Sequence, residues 1–346
     1  MSLEPSLPLW GDIALFALAT AAIAFAGRAL AGYADRLADR TGLGEAVTGA
    51  LLLGLTTALP GLTASIVAAL QGYPVLALGN AIGGIAFQTT VLALADISYR
   101  EANLEHAAAS LENMMQTIML ILLLTLVLTG FTTPDVTVAH VHPMTIVLLL
   151  AAGLASWLVY RVREAPMWQP RDTRETVADV PAPGAHAESL PRLIIAIVAA
   201  AGITMVSGAL VAQSAGEIVR ETPIPEVVVG TLIMAAATSL PELVTCVASV
   251  RRGALTLAVG DIVGGNFFDV LFVAAADLVY LQGSIYHGPG VGRREIFITA
   301  LTIALNVILL AGLINRQRHG PGNIGFESVL MLAVYVAGFL TLALAM

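Results

Sequence analysis

Three acidic side chains sit where an apolar chain has least use for them. Glu242 follows Pro241 in ATSLPE (237–242), and Asp261 and Asp269 bracket Gly265 in GDIVGGNFFD (260–269). Thr238 and Ser239 stand four and three residues before Glu242, so both hydroxyls share a helical face with the carboxylate. A proline within a helix frees the carbonyl four residues back. Pro241 thereby frees Ala237, and Pro60 in TALPGL (57–62) frees Thr56. Carboxylate, hydroxyl and carbonyl oxygens together suit a hard cation such as calcium. An ionised group at the centre of a membrane helix costs about 2.5–3.5 kcal/mol, so three cost roughly 8–10 kcal/mol. A chain with no use for them would gain by losing them.

The elements that must hold these groups are membrane helices. Of 346 residues, 58% are hydrophobic and 12% charged, with a mean hydropathy of +0.86. Soluble domains carry about 25% charged residues. The composition excludes a water-soluble enzyme, and a net charge of −8 lacks the basic face a nucleic-acid binder needs. Nothing pairs a nucleophile with a base, and no cofactor is expected. The single cysteine, Cys246, forms no internal disulfide. No basic residue precedes the first apolar run, which reads as a retained span rather than a signal peptide. All 16 basic residues are arginine; with the alanine and leucine bias, this points to a GC-rich bacterial genome and a bacterial inner membrane.

About 20 apolar residues cross a bilayer as a helix. Ten segments meet or approach this: roughly 9–33, 46–70, 75–97, 110–131, 144–162, 192–215, 226–250, 255–280, 295–314 and 328–346. The polar stretch 163–191 divides the chain into halves, 1–162 and 192–346, of five spans each. Twelve arginines fall in loops after odd-numbered spans and three after even ones. The positive-inside rule then puts the 163–191 linker in the cytoplasm and both termini outside, with Arg28 snorkelling toward the cytoplasmic side.

The halves repeat. At an offset of 181, residues 45–97 match 18 of 53 positions in 226–278, including Pro60/Pro241, Gly79/Gly260, Gly83/Gly264, Gly84/Gly265 and Asp96/Asp277. Hydrophobic bias does not align prolines and glycines together. Copies five spans apart cross in opposite directions. The expected fold is an all-α membrane protein of ten transmembrane helices in two inverted five-helix repeats, an architecture of secondary transporters with the ion site near the midplane.

The remaining polar residues receive plainer readings. Asp96, Asp277, Glu112 and Glu295 stand near span ends and are expected to be solvated at the interface. Glu45 and Glu226 read as first-turn helix residues. All six histidines fall in expected loops; His140 and His142 with Asp135 form a weak outer-face metal candidate. Met114 and Met115 read as packing residues.

The two motifs resemble the paired alpha repeats of the cation/calcium exchanger superfamily, the sodium/calcium antiporters, whose pattern is approximately G-T-S-L-P-E followed by G-N-x-x-G-S-N-x-F-N. The resemblance implies that Glu242 is a cation carboxylate, that Thr238 and Ser239 supply oxygens, and that Asp269 lies at the site. In the first copy it implies Thr57 with its neighbouring backbone, and Gln88 at the position equivalent to Asp269. This chain departs from the pattern. Gly61 replaces the first-copy glutamate, Ala58 and Gly84 and Gly265 replace serines, Ile85 replaces an asparagine, and Asp261 replaces the second-copy asparagine. Across pairs 61/242, 80/261 and 88/269, the first copy has Gly, Asn and Gln; the second has Glu, Asp and Asp. The charge stands on one half. Either Asp261 or Asp269 supplies the lost charge to a divalent site, or the load is a monovalent ion or a proton. The reading is a secondary antiporter in the lipid bilayer, exchanging calcium or another divalent cation for sodium or protons by alternating access. Its alternatives are a monovalent cation/proton antiporter and a transport-inactive sensor or scaffold. Oligomeric state is left open.

Overall fold

A computed structural model describes residues 7–41, 54–98, 103–171, 189–252, 255–318, 320 and 324–345. The described chain is helical apart from turns and one isolated β-bridge between Val138 and Val141. Its helices are α1 Leu9–Thr41, α2 Gly54–Leu70, α3 Pro74–Ser98, α4 Leu104–Ala108, α5 Leu111–Thr132, α6 Pro143–Glu164 and α7 Leu190–Glu221. Then come α8 Glu226–Thr238, which contains a π-helical stretch Val229–Met234, α9 Leu240–Arg252, α10 Leu255–Asp269, α11 Leu271–Val279, α12 Arg293–Asn315 and α13 Phe326–Ala345.

Among the described residues eight stretches are long and apolar enough to cross a membrane, and the bent pair α8–α9 makes a ninth. The protein is a multi-pass membrane protein. Helix α2 has only 17 described residues; residues 46–53 of the expected second span, with Glu45, lie outside the described residues, as does most of the linker. Burial sorts the helices. The apolar window of α3 is 94% buried, against 22% for α1 and 22% for α6. Helix α3 is therefore the core, and the outer helices turn Leu18, Phe25, Leu150 and Ile195 toward where lipid would lie.

Of the two interruptions expected at the prolines, the structure shows one. The chain bends by 48° between α8 and α9, at Ser239 (φ −92°, ψ 8°). Pro241 then falls in the first turn of α9, where a missing N–H costs nothing. Pro60, in contrast, stays inside a continuous α2. The 255–280 segment has a one-residue interruption at Val270, between α10 and α11, and still counts as one span.

Contacts recur between the halves. Asp96 Oδ1 accepts the Leu104 N–H at 2.7 Å and Asp277 Oδ1 accepts the Ile285 N–H at 2.8 Å. Asp96 Oδ2 accepts the Gly325 N–H, and Asp277 Oδ2 that of His142. Both carboxylates are fully buried, which corrects the expectation of interfacial solvation: each satisfies turn N–H groups that water does not reach. Glu295 is likewise buried and accepts the Gly292 N–H at 2.6 Å. Glu112 is half-buried, 3.9 Å from Arg163. Glu226 opens α8 and also accepts the Leu76 N–H at 3.0 Å.

The histidines are not all loop residues. His106 lies within α4 and His287 within a 3-10 turn, Ile285–His287. His142 is buried against Tyr286 with its Nδ1 accepting from Met144 N–H, while His140 turns to the Leu278 carbonyl. The two do not converge with Asp135, which instead faces His287 at 3.8 Å.

Candidate cation site

Helices α2, α3, α8, α9, α10 and α11 meet around one small cavity. It is lined by Ala58, Gly61, Asn80, Gly84, Gln88, Thr238, Ser239, Glu242, Asp269 and Phe272. The free volume is about 10 Å³, near the least that holds one water molecule. A bare cation fits; a hydrated one does not.

The wall is a polar network joining the halves. Gln88 Nε2 donates to Asp269 Oδ2 at 2.7 Å and to Ser239 Oγ at 3.0 Å. Thr238 Oγ1 donates to Asn80 Oδ1 at 2.9 Å. Asn80 Nδ2 donates to the Gly61 carbonyl at 3.0 Å and to Ser65 Oγ at 2.9 Å. The Thr57 hydroxyl contacts the Glu242 carboxylate. Glu242 Oε2, Asp269 Oδ1 and Gln88 Oε1 have no hydrogen-bond partner, although these residues are only 1%, 3% and 2% exposed. Unfilled acceptors cost about 1–3 kcal/mol each, and more when charged. A positive ion or proton is what such oxygens lack.

Glycines let the helices reach this arrangement. A Cβ on Gly27 of α1 would lie 2.7 Å from Pro241 Cβ, and one on Gly208 of α7 would lie 2.9 Å from Pro60 Cα. These glycines are also 181 apart, so the repeat extends to the helices that flank the two proline-bearing segments. A Cβ on Gly61 would lie 2.8 Å from Phe272 Cε2. Phe272 thus occupies the space beside the position where the family pattern has its first glutamate. Gly84 and Gly265 are looser: a Cβ there would stand 3.5 Å from Ser239 Oγ and 3.7 Å from Gln88 Oε1.

Of the residues singled out in the sequence, Glu242, Asp269, Thr238, Ser239 and Gln88 line the cavity, and Thr57 touches it through Glu242. Asp261 is buried outside the lining, its Oδ2 accepting from Thr245 Oγ1 at 2.7 Å and its Oδ1 unpartnered. Thr56 and Ala237 are buried and lie outside the lining. Asn80 and Phe272 were missed as site residues. The repeat marks Asn80, opposite Asp261, but Phe272 has only Val91 opposite it and carries no sequence signal. Among the described residues the one carboxylate trio whose oxygens come within 4.8 Å of one another is Asp12, Glu217 and Glu221, away from this cavity; Arg220 is paired with Glu217 there.

A multi-pass helical bundle with a small, buried, oxygen-lined pocket at its core is the form of an ion transporter. The chain belongs to the sodium/calcium exchanger protein family, whose pattern matches residues 12–163 and 192–344; it is a family of transporters. It is 28% identical to the inner membrane protein YrbG of Escherichia coli (strain K12) over 249 residues, 70% of this chain and 72% of that one. The fold matches the crystal structure of the H+/Ca2+ exchanger CAX with a TM-score of 0.68 at 15% identity, covering 96% of this chain and 81% of that one. It also matches the sodium-calcium exchanger NCX_Mj with a TM-score of 0.62 at 17% identity, covering 96% and 99%.

Proposed function

We propose that this protein is a secondary cation antiporter that carries calcium or another divalent cation in exchange for sodium or protons. The carrying observation is the pair of buried carboxylates, Glu242 and Asp269, with unfilled oxygens facing a cavity for one bare ion. Their two charges balance a divalent ion. Thr238, Ser239, Thr57, Gln88 and Asn80 complete the oxygen set, and the carbonyls of Thr56 and Ala237 join it when α2 and α8 shift. Asp261 adds negative potential from behind. The names of the relatives, an H+/Ca2+ exchanger and a sodium-calcium exchanger among them, agree with both choices of driving ion.

In this reading ten crossings form two inverted five-helix halves, 1–162 and 192–346, joined by the 163–191 linker, with alpha repeats at about 45–97 and 226–278. The recurring Asp96/Asp277 and Gly27/Gly208 contacts support it. The linker faces the cytoplasm of a bacterial cell and both termini face outward. Ion binding neutralises Glu242 and Asp269, and the α1 and α7 faces that receive Pro241 and Pro60 then move past the loaded site. Purified protein in liposomes, under imposed sodium or pH gradients, tests the reading. Calcium flux under either gradient is expected; intact protein without cation flux under both contradicts it. A monovalent cation/proton exchanger is the second reading, favoured by Gly61 in place of the first-copy glutamate, with Phe272 filling the space beside it. It predicts sodium flux that calcium does not affect.

A further inference from the structure

A second group of buried carboxyls lies away from the cavity, on the side of the molecule where the linker begins. That side is fixed by Arg316, whose Nη1 donates to the Arg171 carbonyl at 2.8 Å. Glu105 on α4 and Glu327 in the first turn of α13 are each only 1% exposed. None of their four carboxyl oxygens has a donor in hydrogen-bonding geometry; each lies beside its own backbone N–H, and the two carboxyls lie beside each other. Two buried carboxyls side by side repel when both are ionised, so the pair favours holding a proton.

The surroundings are built for Glu327 to reach inward. A Cβ on Gly312 would lie 2.6 Å from Glu327 Cγ, and one on Gly325 would strike its carboxyl. Asn103 Oδ1, also buried, has no donor either. The charged and titratable groups facing the pair among the described residues are Asp96 from α3, His106 on α4 and Arg316 after α12. Asp96 is already filled by the Leu104 and Gly325 N–H groups. Arg316 is spent on the His106 and Arg171 carbonyls, and His106 Nδ1 faces the Arg316 carbonyl at 2.7 Å. Among the described residues no ion pair is formed by either carboxyl, and burial, then the neighbouring Asp96 and Glu327 charges, raises the Glu105 carboxyl well above the usual range. The carboxyls of Asp96, Glu105 and Glu327 do not converge as metal ligands do; among the described residues only Asp12, Glu217 and Glu221 do.

The other half shows what this corner does without the pair. The corner around Asp277 repeats the one around Asp96. There the position 181 after Glu105 is Tyr286, and α6 begins at Pro143 as α13 begins at Phe326, which sets Met144 opposite Glu327. Turn, cap and helix start are kept with no second or third carboxyl.

We propose that Glu105 and Glu327 form a proton-binding site, in which one shared proton ties α4 to the start of α13 on the linker side. Losing the proton leaves two buried carboxylates beside Asp96 and loosens that contact. The unfolded chain gives up its carboxyl protons at lower pH than the pair, so this stabilisation is full in acid and falls as pH rises through the pair's titration. The test is infrared spectroscopy and thermal unfolding of the whole protein in lipid or detergent, across pH, for the unmodified chain, Glu105→Gln and Glu327→Gln. A protonated-carboxyl band present near neutral pH in the unmodified chain should be lost in each variant, together with the fall in unfolding midpoint at high pH. If neither folds, Glu327→Met, the residue type at the equivalent Met144, replaces them. An unchanged band and an unchanged pH dependence overturn the proposal. So does a band that calcium chloride removes in a Glu242→Gln background, which would make the site one for a metal.

Discussion

The position of Phe272 can be tested by a mutant cycle with Gly61. Gly61→Ala adds a Cβ 2.8 Å from Phe272 Cε2, inside the 3.4 Å at which ordinary contact begins. Both belong to packed helices, α2 and α11, so little can give. Overpacking of this kind costs about 1–3 kcal/mol, a fall on the order of 5 °C in unfolding midpoint. Phe272→Leu, a swap of similar volume, costs about 1 kcal/mol and withdraws the ring edge from Gly61. The double variant should therefore cost little more than Phe272→Leu alone, a coupling of about 1–2 kcal/mol. Thermal unfolding of the four proteins in one detergent reads the cycle. Flux should follow it: Gly61→Ala drives the ring into a cavity of about 10 Å³ and Phe272→Leu restores the room. Additive costs, with no recovery in the double variant, would show that Phe272 does not fill the space facing Gly61.

Other variants address the rest of the site. Glu242→Gln and Asp269→Asn each remove one of the two facing charges, and each should reduce cation flux in liposomes by tenfold or more while the protein stays folded; flux at the original rate in either removes that residue from the site. Gln88→Leu leaves Asp269 and Ser239 without their donor (2.7 and 3.0 Å), so it should cost about 1–3 kcal/mol in stability, recovered in part by a bound cation; no loss of midpoint contradicts it. Asp277→Ala strips the acceptor from Ile285 N–H, His142 N–H and Thr145 Oγ1 and should destabilise by about 3 kcal/mol or more, with a loss below 1 kcal/mol counting against the turn-capping role.

Spans, repeat and carboxylates were legible because each rests on a local rule: apolar run length, a fixed offset, and the cost of charge in lipid. The breaks were less so. The sequence places strain at both prolines, but Pro60 sits in an unbroken helix while the chain turns at Ser239, because helix bending depends on what packs against each proline. Asp96, Asp277 and Glu295 near span ends suggested interfacial solvation. Asp96 and Asp277 are buried because the chain folds back over each and offers it N–H donors, a tertiary fact; Glu295 caps the Gly292 N–H at the start of its own helix. Asp261 has the same residue type and helix as Asp269, yet it turns to Thr245 rather than to the cavity. Phe272 was invisible for a similar reason: an aromatic in an apolar run looks like any other until the glycine opposite it is seen.

The central claim is that a cation sits between Glu242 and Asp269. The most direct test is an experimental structure in millimolar calcium. The account predicts a single ion in the cavity with oxygens of both carboxylates at roughly 2.3–2.6 Å and about six or more oxygen ligands in all. A cavity holding only water at saturating calcium and sodium, with both carboxyls turned away from it, would contradict the account.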